Sequence, residues 1–367
     1  MKKFLFLVVT LSLAIQVHAQ KYNLLIGTYT NQGNSEGIYV YDYNTKTAET
    51  KLKSTASAVN PSYLTVSKDR KFVYSVNESG QNSTVSAFDF NSSNGNLTFL
   101  NKQASVGADP CYIIVDDENV ILANYSGGTI SVFGRNADGT LTKVKQVIKH
   151  TGKSIDPNKR QESAHVHQVQ FTPDKRHLIV NDLGEDIIYI YKYNPKDNTP
   201  LTALRSFKTN AGSGPRHLAF TPKGKFAYLA HEFTGTITAF GYADAHLNKL
   251  QEISTTETNF KGKIDAADIH VSADGNFLYE TNRGDANTIS TFAILKDGTL
   301  KLVETISTLG KGPRNFAIDP TGDHLLVAHQ YTNDVVIFNR DVKTGRLTDS
   351  GKRINVGVPV CLVFSKL

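Results

Sequence analysis

GPRHLAFTPKGKFAYLAHEFTGTITAFGYADAHLNKL (214–250) and GPRNFAIDPTGDHLLVAHQYTNDVVIFNRDVKTGRL (312–347) are two copies of one pattern, and this pattern decides the fold. Each copy holds an apolar strand, a turn rich in Pro, Gly and Asp, a second strand that ends in a polar residue, and a third, alternating strand. A polar stretch and a variable fourth strand complete it. Other copies begin at Pro61, Pro110, His165 and Ala266. Self-similarity at a fixed period is the signature of a repeat architecture.

The polar residue that ends the second strand sets the period. It falls at Thr28, Asn77, Asn124, Asp182, His231, Asn282 and His329. The intervals are 47 to 51 residues, except for one of 58, which contains an insertion around Ile148 to Ser163. Seven units of about 50 residues, each with short alternating strands and turn signals, are typical of propeller blades. The sequence therefore predicts an all-β, seven-bladed β-propeller of four-stranded antiparallel blades.

The two ends of the chain complete this count. The first copy has its second and third strands, at Leu24 to Tyr29 and Gly37 to Tyr43, but no first strand. The last residues, Val358 to Phe364, have the pattern of a first strand without a blade. We therefore expect the C-terminal strand to join the N-terminal blade and close the ring, which pairs edges that would otherwise be open.

The first twenty residues differ from the rest. Lys2 and Lys3 precede an apolar run over 4–17, and Val17-His18-Ala19 offers a small-residue cleavage site. This pattern is typical of a secretory signal peptide and is too short for a membrane span. We expect a signal peptide at 1–20, a propeller domain at 21–367, and a periplasmic or extracellular protein. The alternative is an uncleaved N-terminal anchor.

Composition indicates which classes of binding partner to expect. The chain is 40% hydrophobic and 20% charged with a formal net charge of +6, and it has no block of Lys and Arg. We therefore expect no nucleic-acid partner, no membrane contact after cleavage, and a monomer that binds a small molecule. Cys111 and Cys361 are too few for a disulfide framework, and buried free thiols are favoured over a bridge. The sequence holds no familiar metal motif, so we expect no metal or cofactor.

Overlaying the blades indicates where a functional site would lie. A first strand lines the central channel and the second strand returns, so the start of one and the end of the other meet at the same channel mouth. The start positions are Ser62, Cys111, His167, Arg216, Ala267, Arg314 and Val360. The end positions are Tyr29, Glu78, Tyr125, Leu183, Glu232, Arg283 and Gln330.

Charged residues cluster in neighbouring blades at these positions. Arg216 and Glu232 are symmetric about the turn at 222–225, so we expect them to be cross-strand neighbours, and Asp268 and Arg283 are placed in the same way about 273–276. His167 lies in the adjacent blade, whereas Arg314, Glu78 and Tyr125 come from others. Such a set is either a salt-bridged rim or a site for acid–base chemistry on an anionic substrate. The imidazole and carboxylate among several guanidiniums favour the site.

At these residues the sequence resembles the seven-bladed lactonase family, whose members include a bacterial 6-phosphogluconolactonase and a fungal carboxymuconate-cyclising enzyme. The resemblance covers nearly the whole chain after residue 20. It is carried by GTYT (27–30), NPSYLTVSKD (60–69), ANYSGGTISVF (123–133), RQESAHVHQVQFTPD (160–174), DLGEDIIYIY (182–191), GPRH (214–217), IHVSADGNFLYETNRG (269–284) and GPRNFAIDP (312–320).

The resemblance implies a lactonase, or a lactone-forming cycloisomerase, that works at the channel mouth without metal. The family's catalytic histidine falls on His167 of the His-x-His pair, its arginines on Arg216 and Arg283, and its glutamate on Glu232. We expect Glu232 or His167 to activate water, and the arginines to bind the oxyanion and an anionic substrate group. A non-catalytic ligand-binding propeller is the rival interpretation.

Other residues are assigned to substrate binding. They are His165, Asp268, Arg314, Glu78 and Tyr125. His165 has an alternative role as a structural partner of the insertion. Two positions depart from the family pattern, Asp268 where Glu is expected and Asp285 where His is common, and both are expected to influence substrate choice near Arg283.

Overall fold

The computed structural model describes residues 21–155, 159–257 and 259–367, and the predicted signal peptide lies outside them. This part of the chain forms 28 β-strands and one short 3₁₀ turn, Gly80–Asn82. The strands make seven four-stranded antiparallel sheets, and the first strands of successive sheets contact one another around a closed ring. The predicted seven-bladed propeller is confirmed. No helix in the described ranges is long and apolar enough to cross a bilayer.

Blade one combines the C-terminal strand β28 (Pro359–Lys366) with β1 (Lys21–Thr28), β2 (Gly37–Asn44) and β3 (Thr50–Ser57). From the channel outward, blade two contains β4 (Leu64–Val66), β5 (Phe72–Asn77), β6 (Thr84–Asn91) and β7 (Asn96–Ala104). In the same order, blade three contains β8 (Pro110–Val115), β9 (Asn119–Asn124), β10 (Thr129–Arg135) and β11 (Leu141–Lys149). Blade four contains β12 (Val166–Phe171), β13 (His177–Asp182), β14 (Ile187–Tyr193) and β15 (Leu201–Lys208). Blade five contains β16 (Pro215–Phe220), β17 (Phe226–His231), β18 (Thr236–Ala243) and β19 (His246–Ser254). Blade six contains β20 (Ala266–Val271), β21 (Phe277–Asn282), β22 (Thr288–Ile294) and β23 (Leu300–Ser307). Blade seven contains β24 (Pro313–Ile318), β25 (His324–His329), β26 (Asp334–Arg340) and β27 (Leu347–Asn355).

The C-terminal strand closes the ring as predicted. It pairs antiparallel with β1, with Leu24 opposite Phe364 and Ile26 opposite Leu362. Leu24, Ile26 and Leu362 belong to a buried cluster that also contains side chains of blade seven. The strand therefore joins the two ends of the chain through both backbone hydrogen bonds and apolar packing.

The hydrophobic core lies between the blades. One cluster packs Tyr228 and Ile237 of blade five against Leu278 and Phe292 of blade six, and other pairs of neighbouring blades pack in the same way. The Tyr228 hydroxyl donates to the Gly298 carbonyl of the next blade at 3.0 Å. Because burial of apolar surface is the main stabilising term, each blade depends on its neighbours for stability.

A glycine in the turn before the fourth strand allows this close contact between blades. Gly298 has a φ of +87°, and a Cβ there would lie 2.3 Å from Cδ1 of Phe226. Any other residue would be strained by both the backbone angle and the phenylalanine ring.

The blade pattern also places the site. All seven predicted polar residues end their second strands, and the predicted start residues lie within two residues of the beginning of their first strands. The insertion follows β11, which continues to Lys149, so it begins slightly later than the sequence suggested. Cys111 and Cys361 are buried free thiols, as predicted.

Candidate active site

The strand start in blade five shows how the local sequence aims a side chain into the channel mouth. Gly214 has a φ of +66°, and a Cβ there would lie 2.7 Å from the Phe233 ring. Pro215 pairs with His231, and the register then shifts before Leu218. Arg216 lies within this register shift, and its Nε donates to Oε2 of Glu232 at 3.0 Å. The predicted cross-strand pair is therefore confirmed.

Glu232 binds guanidiniums from three parts of the chain. Besides Arg216, Arg160 donates to Oε1 at 2.6 Å, and Nη2 of Arg283 lies 3.4 Å from the same oxygen. Arg216, Glu232 and Arg283 are each less than a tenth exposed, whereas the side chain of Arg160 is 39% exposed. One buried carboxylate thus connects blade five, blade six and the insertion.

The charge of Glu232 follows from this environment. Burial by itself would raise the pKa of Glu232, but the charges of Arg283, Arg160 and Arg216 outweigh it and hold the pKa well below its usual range. The carboxylate is therefore ionised at neutral pH, with both oxygens engaged by guanidiniums. Such a group orients cations well but accepts a proton poorly.

His167 is a neutral base beside these charges. Its ring is buried and lies edge-on to Tyr125 and His217, with ring centroids 5.6 and 5.1 Å away. Burial first, and then the positive charges of Arg216 and Arg314, hold the pKa of His167 well below 6.5. Its Nδ1 has no hydrogen-bond partner within the described chain. The imidazole is therefore uncharged at neutral pH, and protonating it would add a positive charge beside these arginines.

Glu78 forms a second carboxylate centre across the channel. Tyr29 donates to its two oxygens at 3.0 and 3.1 Å, and the Ser62 hydroxyl donates to Oε1. Arg314 donates to the Tyr29 hydroxyl at 3.2 Å. Burial raises the pKa of Glu78, and the charge of Arg314 opposes this only in part. Glu78 therefore keeps its proton to a higher pH than an exposed glutamate.

Arg283 has a different carboxylate partner from the one predicted. Its Nη2 donates to Asp265 Oδ1 at 2.9 Å, and the expected pairing with Asp268 is wrong. A register shift between Ala266 and Ile269 puts Asp268 opposite Thr281, deeper in the channel. The β-bulge changes which side chain reaches the channel mouth, as bulges often do next to active sites.

Asp268 instead holds a buried network below the channel mouth. It accepts hydrogen bonds from His217 Nδ1 at 2.8 Å, His270 Nε2 at 2.9 Å and Asn315 Nδ2 at 2.5 Å. Burial and the charge of Arg216 lower the pKa of His217 to about 4, although Asp268 opposes them. This network fixes the ring of His217, which lies against that of His167. Asp268 is thus placed below the channel mouth.

His165 lies behind Tyr125. The two rings stack with centroids 4.4 Å apart, and Nδ1 of His165 bonds the Tyr125 carbonyl oxygen at 3.0 Å. The backbone N–H of His165 donates to Oδ1 of Asp182 at 2.8 Å. These contacts fit the structural role that the sequence left open for this histidine.

Most of the predicted residues meet in one cavity of about 190 Å³, here called the inner cavity. Arg216 lies beneath it, on a narrow floor shared with His167, Glu78 and His217. The inner cavity is lined by Glu78, Asp109, Cys111, Tyr125, Ser126, Arg160, His167, Glu232, Arg283 and Arg314. Larger grooves lie elsewhere on the surface, but the one between blades one and two is lined mainly by small polar side chains.

Three residues of blade four and its insertion have the chemistry of metal ligands. Ligand atoms of His150, Asp182 and Glu185 lie within 4.8 Å of one another. They already bind protein groups: His150 bonds Asp182 at 2.7 Å and the Tyr191 hydroxyl at 2.9 Å, and Glu185 accepts the Gly152 N–H. We therefore interpret the cluster as the anchor of the insertion.

Three residues of the site were missed by the sequence analysis. Arg160 lies in the insertion, so it has no counterpart in the other blades and overlaying them could not select it. Asp109 and Asp265 each lie two residues before a start position, and comparing that position among blades would have found them. The analysis stopped at the strand starts, whereas the channel mouth includes the turn before them.

A further carboxyl, Glu280, is fully buried on β21. Neither of its oxygens makes a hydrogen bond of ordinary geometry with the described residues. Burial raises the pKa of Glu280 to about 8, and Thr255, the Ala267 backbone and the charge of Arg216 oppose this only weakly. The side chain is therefore a neutral acid at pH 7.

The fold and the cavity define a class of protein: a propeller whose channel mouth holds a cavity lined by a histidine, carboxyls and several arginines. The family model described as "Lactonase, 7-bladed beta-propeller" matches residues 23–364. The chain belongs to this family, and the resemblance found in its motifs is confirmed.

Individual relatives extend this result. The chain is 38% identical to a 6-phosphogluconolactonase of Bacillus subtilis strain 168 over 94% of this chain and 98% of that one. The structure of the Pseudomonas aeruginosa periplasmic gluconolactonase superimposes with a TM-score of 0.89 at 36% identity, covering 94% of this chain and 99% of that one. A crystal structure of a Bacteroides fragilis protein gives a TM-score of 0.91 at 44% identity, covering 95% and 98%.

The buried Glu280 predicts a pH-dependent stability. The unfolded chain releases this proton near pH 4.5 and the folded chain near pH 8, so the free energy of unfolding should fall as pH rises between these values. Glu280→Gln removes this effect. We expect the stability of the variant relative to wild type to rise by on the order of 3 kcal/mol from pH 5 to pH 8 in urea titrations.

The matched control is Glu49→Gln, at an exposed position, whose relative stability should stay the same at both pH values. A difference between Glu280→Gln and wild type that does not change with pH would contradict a protonated Glu280.

Proposed function

We propose that the protein hydrolyses the ester of a small lactone, anionic or sugar-derived, in the inner cavity. The observation that carries this proposal is the neutral imidazole of His167 in a buried cavity lined by Arg160, Arg283 and Arg314. Ester hydrolysis needs a base for water and preorganised donors for the oxyanion, and both are present. The names of the B. subtilis and P. aeruginosa relatives support a sugar lactone as substrate.

His167 is the better candidate for the base. Glu232 is held ionised by three guanidiniums, so proton transfer to it would weaken three ion pairs at once. His167 is uncharged and lines the inner cavity, so a proton taken up there breaks no ion pair of the described residues, although the neighbouring arginines make it a weak base. Of the two bases considered from the sequence, we therefore assign water activation to His167 and an orienting role to Glu232.

The arginines divide into two groups. Arg283 and Arg314 line the inner cavity and are placed to donate to the carbonyl oxygen as it becomes an oxyanion. Arg216 is only 2% exposed and is bound to Glu232 and to the Ala267 carbonyl at 2.6 Å. We therefore assign to Arg216 the positioning of Glu232, rather than direct contact with substrate.

Glu78 is the candidate acid. Collapse of the tetrahedral intermediate releases an alkoxide, which needs a proton. The pKa of Glu78 is raised and that of His167 is lowered, which are the directions that an acid and a base require.

A panel of lactones tests the reaction. Purified protein, with and without a chelator, is assayed by pH-stat against aldonolactones, sugar-phosphate lactones and aromatic-derived lactones. We expect ring opening of a sugar-derived member that the chelator does not reduce, because the site offers a complete set of protein groups. Turnover that the chelator abolishes would contradict a metal-free mechanism, and binding without turnover would favour a non-catalytic propeller.

Replacement of the base gives the sharpest mechanistic test. His167→Asn should lower kcat/KM by about 10²- to 10⁴-fold, the usual contribution of a general base. Because the pKa of His167 is lowered, wild-type activity should persist at neutral pH and fall only when the histidine becomes protonated at acidic pH.

The control for this test is His246→Asn, at the exposed start of β19, which should retain activity. Glu78→Gln is the companion variant for the acid and should lower kcat. If His167→Asn keeps full activity while folded, His167 is not the base.

We also propose that the chain is exported, because residues 1–20 have the pattern of a signal peptide. The P. aeruginosa relative is itself described as periplasmic. Cell fractionation of the native host followed by intact-mass analysis should give a protein beginning at Gln20 or Lys21 outside the cytoplasm. Recovery of the full-length chain in the cytoplasm would contradict export.

A further inference from the structure

Arg160 separates two cavities. On one side lies the inner cavity, and on the other lies a second one of about 410 Å³, here called the outer cavity. The outer cavity is lined by Arg160, Phe233, Gly262, Lys263, Ile264 and Asp265. Of these residues, only Arg160 also lines the inner cavity.

The guanidinium of Arg160 is held in place from several sides. Its carbon lies 5.0 Å from the centroid of the Phe233 ring and 5.8 Å from that of Tyr125. Nη1 donates to Glu232 at 2.6 Å, and Nη2 donates to the Tyr125 hydroxyl at 2.7 Å. Contacts with two aromatic rings and two hydrogen bonds hold the guanidinium in one orientation, and the side chain stays 39% exposed.

The insertion that carries Arg160 is itself anchored. His150 binds Asp182 at 2.7 Å, the Ser154 hydroxyl donates to Asp186 at 2.5 Å, and Gln161 donates to the Leu183 carbonyl at 2.7 Å. These bonds tie both sides of the insertion to blade four. A ligand that binds Arg160 therefore meets a side chain that is already ordered, which lowers the entropic cost of binding.

Charge in the outer cavity favours an anion. The carboxylate of Asp265 is paired with Arg283 at 2.9 Å and lies 4.0 Å from Lys263 Nζ. Lys263 is 71% exposed, and its backbone N–H is held by Asp285 at 2.6 Å. The outer cavity is thus lined by two cationic side chains, Arg160 and Lys263, and by one carboxylate, Asp265.

The volumes of the two cavities also favour a substrate that reaches the outer cavity. Small-molecule sites usually occupy about 300 Å³ or more, whereas the inner cavity is about 190 Å³. A longer substrate must extend beyond the inner cavity, either past Arg160 or past Glu78 and Asp109 into a groove of about 590 Å³. That groove is lined by two carboxyls and no Lys or Arg, so an anionic extension favours the side of Arg160. The part of the substrate remote from the carbonyl would then lie in the outer cavity.

From these contacts we propose that Arg160 determines substrate specificity by binding an anionic group, phosphate or carboxylate, on the part of the lactone remote from its carbonyl, with the outer cavity as the subsite. This inference rests on the proposed lactonase function and deepens it. A guanidinium binds either anion in a bidentate manner. Asp285, one of the two departures from the family pattern, supports the wall of this subsite through Lys263.

The test compares three substrates that share the lactone. Glucono-δ-lactone has no remote anion, its 6-phosphate has a phosphate, and a glucaric acid lactone has a carboxylate on the same carbon. For Arg160→Met, we expect the ratio of kcat/KM for a charged lactone over the uncharged one to fall by about 10- to 100-fold, the usual range for one charge-assisted contact. The charged lactone with the larger ratio in wild type identifies the anion.

Arg160→Lys, which keeps the charge but not the planar fork, should lose only part of the ratio. Arg176→Met, on the exposed turn between β12 and β13, is the matched control and should keep the wild-type ratio. An unchanged ratio in Arg160→Met, whether all three substrates slow equally or none does, would overturn the inference.

Binding of the reaction products separates this inference from the lactonase proposal. Calorimetry with 6-phosphogluconate, glucarate and gluconate requires no turnover. If wild type hydrolyses no lactone but prefers a product with a second anionic group, and Arg160→Met loses that preference, the lactonase proposal fails and the anion subsite stands. If wild type hydrolyses lactones but binds all three products equally, the anion subsite is wrong and the lactonase proposal stands.

Discussion

The site depends on one carboxylate, that of Glu232. Three guanidiniums meet on its two oxygens, and they come from the start of β16, the turn after β21 and the insertion before β12. Without it, several positive charges would face one another in a buried volume, which is costly. With it, each guanidinium has a fixed direction. The geometry of the channel mouth therefore follows from a buried ion cluster rather than from individual surface salt bridges.

The ring makes this cluster possible. Blades five and six contribute Arg216, Glu232 and Arg283, and they are held together by the apolar cluster that contains Tyr228 and Leu278. Because every blade packs on two neighbours and β28 closes the last gap, the start of one first strand cannot move independently of the next. The rigidity that preorganised donors need is thus supplied by the fold, far from the channel mouth.

Repetition explains what the sequence could and could not reveal. The seven blades, the closing strand, and the Arg216–Glu232 pair follow from overlaying the copies, because those features obey the repeat. Arg160 lies in an insertion with no counterpart, so no overlay could select it. The error on Asp268 arose because the first strand shifts register against the second, as it also does in blades three, four, five and seven. Such a shift leaves no mark in the apolar pattern. Prediction from the sequence therefore failed at an insertion and at a shift in strand register.

Paired charges also explain how so many arginines remain selective. A cavity lined by unpaired cations would attract any anion through its long-range field. Here Glu232 and Asp265 offset much of that field, while the N–H directions of Arg160 and Arg283 stay fixed. Recognition then depends on whether a planar anion matches those directions at short range, where charge-assisted hydrogen bonds are strong. The carboxylates therefore serve selectivity by weakening indiscriminate attraction more than they weaken directional contact.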